Sequence, residues 1–186
     1  MKKVQMKKAI LSLALVITTI GLFAQKKTTT SATISFDATT SLDNLPKASN
    51  KTGIGAIDTQ TGAVAFEASV KNFTFANPTM QGHFNGEKWL DSDAHPNFTF
   101  KGNIVNPSAV DFTKDGTYNT EVDGVLSIKG KEKNIKIPGT ITVNGGNLLI
   151  SANFSIAVAD YNINGVPIDA GKVSKNPKIT VSAELK

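Results

Sequence analysis

From Ile34 onward, apolar and polar side chains alternate with a period of two. That period turns successive side chains to opposite faces of an extended chain, so it specifies half-buried β-strands. Ile34 and Phe36 alternate with Thr33, Ser35 and Asp37, and Val64, Phe66, Ala68 and Val70 alternate with Ala65, Glu67, Ser69 and Lys71. Phe98, Phe100 and Ile104 share a face with Gly102 between them, and Tyr118 with Val122, then Leu126 with Ile128, continue the pattern. Ile135 and Ile137 lead across Pro138-Gly139 to Ile141 and Val143. Leu148, Ile150, Phe154, Ile156 and Val158 form one stripe, and Ile179, Val181, Ala183 and Leu185 form the last.

Turn formers punctuate these runs: Gln60-Thr61-Gly62, Lys114-Asp115-Gly116, Asn144-Gly145-Gly146 and Asn164-Gly165. Asn144-Gly145-Gly146 between two alternating runs predicts a hairpin. Asp123-Gly124 fits either a turn or a bulge in one long strand. One segment breaks the period. Asn77-Pro78 has the form of an N-cap followed by proline in the first helical turn, and Met80 and Phe84 lie four residues apart on one helical face. The expectation is an all-β fold of about eight antiparallel strands with one short helix between the third and fourth. Closure into a barrel removes exposed strand edges. A two-sheet sandwich is the competing architecture.

The N-terminus does not belong to this pattern. Lys2, Lys3, Lys7 and Lys8 precede an apolar run over residues 9–23, and Ala24 offers a small residue before Gln25. A basic, apolar, small-residue order with an apolar stretch of 15 residues predicts a signal peptide over residues 1–24, cut after Ala24. The run is short for a membrane-spanning helix, which needs about 20 apolar residues. Residues 25–31 are then a flexible lead-in, and residues 32–186 form one domain placed in the periplasm or secreted. Cleavage also removes four lysines and no acid, leaving 16 lysines against 15 acids, a net charge of +1 where the whole chain has +5. This near balance, with no arginine in the chain, argues against a nucleic-acid or phosphate partner. The absence of cysteine means that the core alone must hold an exported domain.

Chemistry-bearing residues are sparse. Asp91, Asp93 and His95 stand at alternating positions before Pro96, but on a loop, and no metal is expected there. His83 is the other histidine, and it reads as structural or solvent-exposed. No serine sits in a Gly-x-Ser-x-Gly elbow and no glycine-rich phosphate loop occurs, so neither an enzymatic activity nor a cofactor is expected. Asn72-Phe73-Thr74-Phe75 and Asn97-Phe98-Thr99-Phe100 repeat one tetrapeptide, and seven of the ten phenylalanines fall between Phe66 and Phe112. Bulky apolar surface is thus concentrated around the helix and its flanking strands.

Three blocks resemble the YceI-like proteins. The first runs Met80-Gln81-Gly82-His83-Phe84-Asn85, Trp89-Leu90-Asp91 and His95-Pro96-Asn97-Phe98-Thr99-Phe100. The second runs from Asp123-Gly124-Val125-Leu126-Ser127-Ile128 through Lys133 to Ile135, Ile137 and Pro138, and the third from Phe154-Ser155-Ile156 to Tyr161-Asn162-Ile163. The resemblance implies a lipocalin-like barrel whose apolar interior binds a polyisoprenoid chain, such as an isoprenoid quinone or a prenyl phosphate. The family's histidines near its first strand have no counterpart in residues 30–36 or 45–55, so no head-group role transfers to this chain. The ligand-binding candidates are the apolar faces and helix anchors: Phe36, Phe66, Phe73, Phe75, Met80, Phe84, Trp89, Phe98, Phe100, Leu126, Ile128, Phe154, Ile156 and Tyr161. The expected partner is a long-chain isoprenoid lipid, and a homodimer is left open. The rival reading is an envelope structural or interaction module with a packed barrel and no ligand.

Overall fold

A computed structural model describes residues 26–186. Nine strands carry the fold: β1 (Lys26–Asp37), β2 (Lys47–Asp58), β3 (Ala63–Ser69), β4 (Thr74–Phe75), β5 (Asn97–Ile104), β6 (Gly116–Ile128), β7 (Lys131–Asn144), β8 (Asn147–Ser155) and β9 (Lys178–Leu185). Two helices interrupt them, α1 (Pro78–Asn85) between β4 and β5 and α2 (Val166–Asp169) before β9. Every pairing is antiparallel, and the sequence-adjacent strands form a meander. The ring closes because β1 pairs both with β9, from Thr33↔Ser182 to Asp37↔Lys178, and with β2, from Lys26↔Asp58 to Asp37↔Lys47. Eight strands therefore make a closed barrel and leave no free barrel edge, which excludes the sandwich. The two-residue β4 pairs with β2 at Ala48↔Phe75 and Ser49↔Thr74, beyond the end of β3.

The helix stands between the third and fourth barrel strands, as its capping signals require. Asn77 Oδ1 accepts from the Thr79 and Met80 backbone N–H groups at 2.9 and 3.4 Å, and Pro78 follows it in the first turn. The Asn144 hairpin also forms, with Gly145 and Gly146 at φ 55° and 80°, the two positive values a tight hairpin turn needs. Asp123-Gly124 is neither turn nor bulge. It lies inside the continuous strand β6, with Gly102 opposite Gly124 in regular register.

Two features differ from the sequence reading. Residues 26–31, expected as a lead-in, are the first half of β1. Thr28 and Lys186 exchange backbone hydrogen bonds of 3.0 Å in both directions, and residues 26–29 pair with residues 55–58. Threonine-rich backbone can fill a ladder without an apolar period to announce it. Strand β2 was likewise absent from the periodic runs, because its sequence, KASNKTGIGAID, carries glycine and asparagine where other strands carry large apolar side chains. The segment read as a signal peptide lies outside the described residues.

The two barrel ends are unlike. At the hairpin end, tight turns and the 105–115 loop enclose Ile104, Val110, Val143, Leu148 and Leu185, all buried in the main core. At the connection end, three longer segments, residues 38–46, 70–96 and 156–177, fold over the barrel. Phe84 of α1 is the centre of that cover. Its ring stands 4.9 Å from Phe75, 5.8 Å from Phe73 and 6.0 Å from Phe36, all in tilted geometry. Phe73 in turn meets Phe98 edge-on at 5.6 Å. Such pairs contribute about 0.5–1.5 kcal/mol each beyond the area they bury.

Candidate functional site

The inward faces of the barrel strands do not fill its bore. An apolar cavity of about 180 Å³ extends from the middle of the barrel to the connection end. At about 10–15 Å³ for each water-sized sphere, it has room for roughly a dozen or more such spheres. Its side walls are Ile34 and Phe36 from β1, Val64, Phe66 and Ala68 from β3, Phe98 and Phe100 from β5, and the apolar alternates of β6 to β9. Its cover is Phe73, Phe84, Trp89 and Leu90 from one connection and Val158, Ile163 and Val173 from the other. Glu67 and Thr99 also border it, but strand alternation turns their side chains to the outer face. No ionisable side chain therefore points into the cavity among the described residues. A polar molecule would lose its hydration there without replacement, whereas an apolar chain loses nothing by leaving water.

Most predicted binding residues meet in this cavity: Phe36, Phe66, Phe73, Phe84, Trp89, Phe98, Phe100, Leu126, Ile128, Phe154 and Ile156 line it. Three do not. Phe75 is buried behind Phe84, Met80 packs partly exposed against the core, and Tyr161 is buried beside the cover without reaching the space. Burial pushes the Tyr161 phenol up to about 12, and the neighbouring Asp160 charge adds to the shift. Ile34, Val64, Val122, Ile137, Ile150, Ala152, Ile179 and Val181 were missed as wall residues, although all but Ala152 lie on stripes already recognised. Leu90, Ile163 and Val173 come from the connections, where no period marks an inward face.

The bore owes its width to glycine. Gly53, Gly55 and Gly124 face inward, and a bulky neighbour lies over each. A β-carbon on Gly53 would come within 2.4 Å of Ile34 Cδ1, one on Gly55 within 2.4 Å of Phe66 Cε1, and one on Gly124 within 2.8 Å of Phe100 Cζ. Each glycine lets the neighbouring side chain fold flat against the wall rather than across the centre. A second cavity of about 40 Å³ lies deeper, toward the hairpin end, and shares Val64, Phe66, Val122, Ile137, Ile150 and Ala152 with the first. The packed-barrel reading does not describe this interior.

The other sequence candidates do not converge. Asp91 adopts a left-handed conformation at φ 49°, and its carbonyl accepts from the His95 backbone N–H at 2.8 Å. The Asp93 carboxylate pairs with the Lys71 ammonium at the surface. The His95 ring lies instead against Gly130, where an added β-carbon would be 3.0 Å from its Cε1. Among the described residues no three histidines or acids are grouped so as to hold a metal ion. At the connection end, the Thr39 hydroxyl donates to the Asp37 carboxylate at 2.7 Å and holds its pKa below the usual value.

Solved structures share this architecture. A polyisoprenoid-binding domain from Saccharophagus degradans, implicated in plant cell wall breakdown, superimposes with a TM-score of 0.74 over 87% of this chain and 98% of its own, at 10% identity. Burkholderia cenocepacia BcnA gives 0.66 over 83% and 96%, at 21% identity. The Campylobacter jejuni YCEI protein gives 0.51 over 77% and 84%, at 17% identity. At such identities these likenesses establish the fold. No curated protein matches the sequence significantly. The family model of the YceI-like domain matches residues 14–185, nearly the whole chain, and the protein therefore belongs to the YceI-like family.

Proposed function

We propose that this protein binds a long apolar lipid, a polyisoprenoid or an isoprenoid quinone, with its tail inside the barrel, and catalyses no reaction on it. One observation carries the proposal: every side chain pointing into the 180 Å³ cavity is apolar. Burial of each CH₂ group contributes about 0.8 kcal/mol, so a five-carbon isoprene unit contributes roughly 3–4 kcal/mol before the costs of association. Affinity then needs no charged or catalytic group, and the cavity offers none. The polyisoprenoid-binding description of the Saccharophagus degradans domain supports the ligand class.

The proposal places this activity in the cell envelope. The basic and apolar order of residues 1–24 supports export, and the cysteine-free core suits a domain that must be stable outside the cytoplasm. Native mass spectrometry of protein purified from a membrane-containing host, with N-terminal sequencing of the same sample, tests both parts. The expected result is a mature chain beginning at Gln25 that carries, or takes up, one prenyl lipid. A barrel that arrives empty and refuses added polyprenols sinks the ligand assignment. A retained residue 1–24 segment sinks the export.

A further inference from the structure

Phe66 stands at the junction of the two cavities and lines both. Two cross-strand neighbours flank it, Phe100 of β5 on one side and Gly55 of β2 on the other, and only the glycine leaves it room. Gly55 of β2 pairs directly with Phe66 of β3, and the space a side chain would occupy on Gly55 is taken by the edge of the Phe66 ring. A β-carbon there would meet Cε1, Cδ1 and Cζ at 2.4, 2.5 and 2.8 Å. All three are side-chain atoms. A methyl group at position 55 therefore turns the ring inward and leaves the backbone where it is. The alternation of β3 leaves the ring one place to go, the bore.

We infer that the Gly55–Phe66 pair is a chain-length gauge: the Phe66 ring, held against the wall by Gly55, sets the depth at which the far end of a bound apolar chain stops. This rests on the proposed tail-binding function and adds its specificity determinant. Below the ring lies the 40 Å³ cavity, closed beyond by packed side chains. It has room for about three or four water-sized spheres, roughly one five-carbon unit. Trimming the ring opens this space to the ligand. Pushing the ring inward closes the bore higher up.

The test uses Phe66→Leu, Gly55→Ala and the double variant in the full-length protein. Each is offered two graded series, all-trans polyprenols and straight-chain alcohols, in competition, with bound species read by native mass spectrometry. Phe66→Leu is expected to move the preferred length up by about one isoprene unit or its straight-chain equivalent. Gly55→Ala is expected to move it down and to weaken the wild-type optimum about tenfold or more. In the double variant no ring meets the new methyl, so its preference follows Phe66→Leu. Thermal unfolding controls for folding, and the Gly55→Ala midpoint is expected to stay within a few degrees of wild type. Unchanged length preference in both single variants, with ligand still bound, overturns the gauge and leaves the binding function standing. A wild type that takes straight chains and refuses polyprenols overturns the isoprenoid assignment, and the gauge is then judged on the straight-chain series. A wild type that takes neither series overturns both.

Discussion

The side-chain amide of Asn50 donates to the backbone carbonyl of Ser69 at 2.9 Å, at the point where strand β2 leaves one partner for another. Below this point β2 pairs with β3 as far as Ile54↔Glu67, and above it with β4 from Ser49↔Thr74. Between them the chain makes a 3₁₀ turn over Val70–Asn72, and on this edge β2 has no ladder partner, although its other edge stays paired with β1. Asn50 is completely buried, and its Oδ1 accepts from both the backbone N–H and the hydroxyl of Thr52, at 2.7 and 2.9 Å. One amide thus replaces the missing rungs. Asn50→Ala leaves the Ser69 carbonyl and the Thr52 groups without these partners, and the expected cost is about 2–3 kcal/mol. Urea denaturation checks it. A change below about 0.5 kcal/mol would show that water substitutes for the amide.

Phe84 ties α1 to the barrel through three aromatic neighbours and also forms part of the cavity cover. Phe84→Ala is expected to lower stability by about 3–5 kcal/mol, the usual range for a buried phenylalanine. It also opens the cover over the cavity. Fluorescence of a small apolar dye should rise in the variant at temperatures where its circular dichroism remains native. No rise would mean that residues 70–96 stay seated without this ring.

Gly102 and Gly124 face each other across β5 and β6, and both are closed in by backbone. A β-carbon on Gly124 would lie 2.4 Å from the Lys101 carbonyl oxygen and 2.6 Å from Gly102 Cα. Backbone cannot rotate away as the Phe66 ring does. Gly124→Ala is therefore expected to cost about 1–3 kcal/mol and to lower Tm by roughly 2–10 °C. Gly55→Ala leaves Tm nearly unchanged. Differential scanning calorimetry of the two variants side by side reads this contrast, and equal losses would contradict it.

Tyr161 is neutral to a higher pH in the folded chain than in the unfolded one, because burial raises its phenol from 10 to about 12. A raised folded pKa means that its contribution is fully present below pH 10 and is lost as pH rises from 10 toward 12. The part carried by this residue is about 2 kcal/mol. The measurement is the difference between wild type and Tyr161→Phe in urea midpoints at pH 8 and pH 11. The phenylalanine variant should lose less stability across that interval. Parallel losses would show that Tyr161 does not control the alkaline limb.

The barrel was legible in the sequence where its interior is built from large apolar alternates, and illegible where it is built from their absence. Strand β2 meets the bore with Gly53, Gly55 and Ile57, and only the last of these carries an apolar side chain for a period-two pattern to find. The first half of β1 is lysine, threonine and one serine, held by ladder hydrogen bonds to β2 and to Lys186. For the site, alternation identifies which face a residue occupies and says nothing of its depth along the barrel. Leu126 and Leu185 lie on equally regular stripes, yet one lines the cavity and the other seals the far end. Phe73 and Phe75 are two residues apart in a repeated tetrapeptide, and only Phe73 reaches the cavity. The distinction comes from the short strand β4, which draws Phe75 against Ala48.

The solid packing of Ile104, Val110, Val143, Leu148 and Leu185 makes the barrel a sleeve stitched shut at one end. A guest in such a sleeve cannot pass through. A lipid bound as proposed enters tail first and withdraws tail last, both by the connection end. Any polar group it carries stays at that end throughout. Under the proposed function, loading and release then share one face of the protein, and whatever supplies the lipid and whatever takes it up compete for that surface.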